Sequence, residues 1–126
     1  MIRGICLSTV AFVMLAAPAF AAESACKEPV VPTMPDGSVA ARDDVIKAAG
    51  SVKAYVTESD TYQECLNVEF NKMIEQAKKD KMPVGPEANK AREDKIAANQ
   101  ASKVKLGEAY SATAAAYRTA HPPAPK

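Results

Sequence analysis

Two cysteines and one histidine are the side chains in this sequence best suited to chemistry. Cys26 and Cys65 could exchange disulfides, hold a soft metal ion, or lock the chain to itself. They lie 39 residues apart, form no CxxC pair and have no histidine beside them. That spacing fits a redox or metal pair poorly and a structural disulfide well. His121 is followed directly by Pro122 and Pro123, at the end of a helical pattern. A Ser-His-Asp arrangement would need that imidazole held rigidly, which a helix end before two prolines does not do. Paired carboxylates occur at Asp43-Asp44, at Glu93-Asp94 and at Glu58 with Asp60. Such pairs serve glycosidase-type catalysis when a cleft holds them. Here the acids alternate with basic residues, as in Lys90, Arg92, Glu93, Asp94 and Lys95, which marks a solvated helix face. Gly85 and Gly107 are isolated and make no phosphate loop. The sequence therefore predicts no catalytic residue, no metal site and no cofactor.

The chain has 126 residues, and its start reads as a secretory signal. Arg3 supplies a positive flank, Ile5 to Ala17 an apolar run, and Ala19-Phe20-Ala21 small residues where a signal peptidase cleaves. The run is shorter than the ~20 apolar residues a membrane span needs, and it ends at Pro18. A lipobox before Cys26 is disfavoured, because Glu23 occupies the position that wants leucine. Residues 1–21 are thus read as a leader, with cleavage near Ala21, and the mature protein as periplasmic or secreted. Of the 16 basic residues only Arg3 is lost with the leader, so the mature chain balances its 15 acidic residues. This excludes the concentrated basic field of a nucleic-acid binder and the polybasic patch of a membrane-surface protein. Cys6 is lost as well, leaving an even pair of cysteines for an oxidising compartment.

Residues 22–37 form a proline-rich arm in which Cys26, Pro29, Pro32 and Pro35 recur every third residue. A polyproline II helix has three residues per turn, so these four share one face. Asp36-Gly37 is a turn signal, after which Ser38 can cap a helix. From Val39 to about Lys81 an apolar stripe of Val45, Ala49, Val52, Val56, Leu66, Phe70, Met73 and Ala77 predicts a long helix. Thr57 to Thr61 is rich in capping residues, and Thr61 with Glu64 could form a capping box, so a kink is possible there. Met82-Pro83-Val84-Gly85-Pro86 ends this helix. A second runs from about Glu87 to Ala120 with a weaker stripe of Ile96, Leu106, Tyr110, Thr113 and Tyr117. Residues 121–126 are read as a flexible tail.

The expected fold is all-α: an antiparallel two-helix hairpin over 38–120, with the arm running back along the first helix. From Cys26 to Ser38 is 12 residues, or ~37 Å of polyproline II. From Val39 to Cys65 is 26 residues, or ~39 Å of α-helix. The match predicts a Cys26–Cys65 disulfide. It also lays the arm of Pro29, Pro32 and Pro35 along the first helix, with Pro32 near Ala49, Pro29 near Tyr55, and Tyr62 between Pro29 and Cys26. With the hairpin turning near Val84, Tyr110 falls opposite Glu58 and Tyr117 opposite Ser51, so the four tyrosines alternate. Asn99 and Lys103 then sit at apolar positions of the seam, opposite Leu66 and Glu69. Either Lys103 reaches Glu69, or this stretch accepts another chain.

The arm resembles the polyproline–helix hairpin of pancreatic polypeptide hormones in architecture alone. Cys26, Pro35-Asp36-Gly37, Tyr62-Gln63-Glu64-Cys65-Leu66 and Ala116-Tyr117 through His121-Pro122 are similar to segments of small secreted bacterial proteins with no assigned activity. That resemblance implies the fold and gives no mechanism. The function expected is non-enzymatic: an exported interaction or scaffold protein that presents a long helical surface to a protein partner or a second copy. The rivals are an envelope-stress or inhibitor protein blocking a partner's cleft with its arm or tail, and a thiol redox or metal carrier using Cys26 and Cys65.

Overall fold

The computed structural model describes residues 24–123; the leader read at 1–21, residues 22–23 and the tail residues 124–126 lie outside the described residues. Two helices pack together, α1 over Arg42–Lys79 and α2 over Pro86–Ala120. A disulfide joins Cys26 to Cys65 with the Cα atoms 5.7 Å apart. The arm thus spans the distance that the residue spacing predicts.

The arm presents one face inward. Cys26 is buried and Pro29, Pro32 and Pro35 are half-buried, whereas Lys27, Val30, Thr33 and Asp36 are exposed. Among the described residues, no backbone–backbone hydrogen bond begins or ends at positions 26–35, as expected of a polyproline II path.

α1 begins later than expected, because Asp36 claims the donors that were assigned to a helix start. The Ser38 hydroxyl and amide donate to Asp36 Oδ1 at 2.7 and 2.9 Å, and the Val39 and Ala40 amides donate to its carbonyl. Ser38 is therefore a turn residue, and Ala41 holds the N-cap position without a side-chain cap bond. Asp43 and Asp44 lie in the first turn and Lys78 and Lys79 in the last, matching the helix dipole. The Ser38 hydroxyl, and then its amide, hold the Asp36 carboxyl below its ordinary value of 3.8. A lowered carboxylate stabilises the turn above the unfolded-state value, and this contribution is lost as pH falls through the folded one. An NMR titration is expected to place the Asp36 midpoint below 3.8, with the Ser38 amide shifting in the same step. A midpoint at or above the ordinary value would mean the turn lacks these bonds.

α1 runs without interruption through Thr57–Thr61. The Thr57 and Thr61 hydroxyls donate back to the carbonyls of Lys53 and Thr57, both at 3.1 Å, so neither starts a new helix. The inward line also differs from the expected stripe: Ala48, Tyr55, Ser59, Tyr62 and Leu66 are buried, while Val56 and Met73 are exposed. From Tyr55 on, this line repeats at intervals of three and four residues, and Ala48 precedes it by seven. α2 answers with Ile96, Asn99, Leu106, Tyr110, Thr113 and Tyr117 at a compatible period.

The end of α1 sets how the helices meet. Met82 donates its amide to Ala77 and Lys81 to Lys78, which is a Schellman closure with Lys81 at φ 54°. The chain then turns back over the last turn of α1, and Pro86 opens α2 at its first position. The consequence is a register about two helical turns away from the expected one. Asn99 meets Ser59 and Gln63, and Lys103 meets Asp60. α2 is thus shifted toward the start of α1, and the four tyrosines do not alternate.

Because a lysine is strained in the left-handed region, Lys81→Gly is expected to raise stability by about 0.5–1 kcal/mol. The urea midpoint measures this, and an unchanged or lower midpoint would contradict the strained cap.

Candidate functional site

Three places gather the side chains that could act. The first is the disulfide and its surroundings. Cys26, Tyr62 and Leu66 form a buried cluster, with Cys65 and Ile96 packed against it. Glu69, one helical turn beyond Cys65, accepts bonds from the start of the arm. The Ser24 hydroxyl donates to Oε2 at 2.7 Å and the Ala25 amide to Oε1 at 2.8 Å. Ser24 Oγ in turn accepts the Cys26 amide at 3.2 Å. Burial, and then the nearby charges of Glu28 and Glu69, raise the Tyr62 hydroxyl above its ordinary value. Glu69 therefore does not bond Lys103, which was one of the two expectations for this stretch; it anchors the arm.

The second place is the polar middle of the seam. Asn99 and Ser59 are fully buried. Gln63 Nε2 donates to Asn99 Oδ1 at 2.7 Å, and Asn99 Nδ2 donates to Ser59 Oγ at 3.2 Å. Lys103 Nζ donates to Asp60 Oδ1 at 2.7 Å. Of the two readings of this stretch, an internal partner for Lys103 or a seat for another chain, the bonds supply the first, with Asp60 in place of Glu69. A buried asparagine on a helix–helix seam also favours one register over its neighbours.

The third place is the tip of the hairpin. Phe70, Ile74, Ala77, Met82, Val84 and Pro86 line an open, mainly apolar groove of about 410 Å³. Arg92 lies over the Phe70 ring at 4.7 Å, and its Nη1 and Nη2 donate to Asn67 and Asn89 at 2.7 and 2.8 Å. The cation thus joins Phe70 and Asn89, both of which line the groove.

No family model matches this chain, and neither a curated protein nor a solved structure matches it.

The residues singled out from sequence fall into two groups. Cys26, Cys65 and Tyr62 come together at one end of the arm. Pro35 lies at the other end, where its carbonyl accepts the Thr113 hydroxyl at 2.9 Å. Tyr55 is buried on the inward line of α1, and Pro29 and Pro32 are half-buried between the two ends. Tyr110 and Tyr117 are half-buried on α2. Tyr117 stacks on His121 with ring centroids 4.3 Å apart, and its carbonyl accepts the His121 amide at 2.9 Å. His121 therefore closes α2, and the arm's turn lies beside the Tyr117 backbone. The sequence reading offered Glu69 to Lys103 and not to the arm, and it missed Thr113 and Ser59 as partners. For Glu69 a signal was present, since Cys65-x-x-x-Glu69 puts both on one helix face.

No helix among the described residues is long and apolar enough to cross a membrane. The carboxylate pairs at Asp43-Asp44 and Glu93-Asp94 are exposed on the helix surface.

Proposed function

We propose that this chain is an exported, non-enzymatic interaction protein that uses its helical hairpin as a rigid platform. The groove at the hairpin tip carries this reading. It is open and apolar and holds Met82 two-thirds exposed, while the buried polar groups of the seam are already bonded to one another. An apolar groove between two antiparallel helices suits the apolar face of a partner's helix. Export is supported by the leader-like residues 1–21 and by the joined cysteines, which persist in oxidising compartments.

The test is photo-crosslinking in the intact oxidised protein. One probe replaces Met82 at the groove, and a control replaces Val104, which is exposed on α2. A discrete adduct is expected from Met82 only, and Ile74→Lys should abolish it. An adduct of twice the chain mass from purified protein would identify a second copy as the occupant. Equal labelling at both positions, or none at Met82, would sink the reading.

A further inference from the structure

We infer that reduction of the disulfide leaves a three-donor site for a thiophilic divalent cation of the zinc class, built from Cys26, Cys65 and Glu69. The Sγ atoms of both cysteines and a carboxylate oxygen of Glu69 all lie within 4.8 Å of one another. Two thiolates and one carboxylate are a donor set that zinc accepts, with a fourth position left for water. Tetrahedral ligation needs the two sulfur atoms about 3.8 Å apart. Side-chain rotation can reach this separation across Cα atoms 5.7 Å apart.

The arm does not depend on the disulfide alone to hold Cys26 in place. Ser24 and Ala25 bond Glu69 on one side of Cys26. On the other side Pro35 is bonded to Thr113, and Gly37 lies against the α2 backbone. These bonds limit how far the loosened arm carries Cys26 from Cys65 and Glu69 once the disulfide opens. Glu69 is oriented by the same bonds, and its oxygens have lone pairs left for a metal.

A dithiol reductant gives two electrons and two protons to the Cys26–Cys65 bond and becomes a disulfide itself. The cation then displaces the two thiol protons, which pass to solvent. Two thiolates and the Glu69 carboxylate surround the bound ion.

The mature full-length chain, reduced with a phosphine and freed of oxygen, is titrated with zinc against a chromophoric chelator. One zinc per chain is expected. Affinity should fall at least tenfold in Glu69→Gln, and binding should vanish in the oxidised protein and in Cys65→Ser. Zinc should also slow re-formation of the disulfide by air, and Glu69→Gln should remove that protection. Circular dichroism follows the helix throughout. The inference is overturned if reduced protein takes up no zinc, if Glu69→Gln binds as tightly as the native chain, or if bound zinc leaves less helix than the oxidised protein has.

Discussion

Cys65→Ser is expected to lower stability by about 4 kcal/mol and the thermal midpoint by about 20 °C. The physical source is the unfolded chain. The bond closes a loop with a sequence separation of 39, so removing it returns to the unfolded state the entropy that the loop had excluded. The folded state loses little packing, since serine keeps most of the volume at position 65. Cys26→Ser should give the same result within error, because both variants break one bond. Thermal unfolding of each, followed by circular dichroism, checks this. A second readout concerns the arm itself. Lys27 is exposed, and with the bond gone trypsin should cut there faster than in the native protein. Midpoints within a few degrees of the native value would show that the loop is already closed by other contacts in the unfolded chain.

The length match behind this disulfide was legible because both segments have fixed rises per residue. A period-three row of prolines and an unbroken helical pattern leave few ways for Cys26 to meet Cys65. The register of the two helices was not legible. It depends on the left-handed Lys81 and on how far the chain folds back after Met82, and a loop without a glycine at its pivot gives no sign of that reversal. The shift decides which polar groups meet. Asn99 looked like a gap in the apolar stripe, although its amide had two partners waiting on α1. Ser59 looked like a capping residue in a weak stretch, yet it is fully buried and accepts the Asn99 amide. In each case the side chain was flagged as polar, and only the pairing across the seam explains it. Asp36-Gly37 was read as a turn signal, and glycine ordinarily serves turns by relaxing backbone limits. The described glycines all have negative φ, so that reason does not apply to Gly37.

Gly37 is there because α2 leaves no room for a side chain, and Gly37→Ala should therefore be strongly destabilising. A Cβ at this position would overlap the Thr113 carbonyl oxygen, lying 2.8 Å from the carbonyl carbon and 2.9 Å from the Tyr117 nitrogen. These are backbone atoms of a helix, so they cannot swing aside as the end of a side chain would. The arm must lift instead, and the Thr113 to Pro35 bond goes with it. We expect a loss of about 2–3 kcal/mol, at the upper end of what one added carbon costs in a packed site. Chemical denaturation measures it, and an effect below about 0.5 kcal/mol would place the turn away from α2. The two variants should also be coupled. The disulfide holds one end of the arm and Gly37 the other, so once either end is free the second has less docked arm to hold. Cys65→Ser with Gly37→Ala is thus expected to lose clearly less than the two single losses combined, by about 1 kcal/mol or more. Simple additivity would mean that the two ends of the arm dock independently, and the arm would then be two separate contacts instead of one cooperative element.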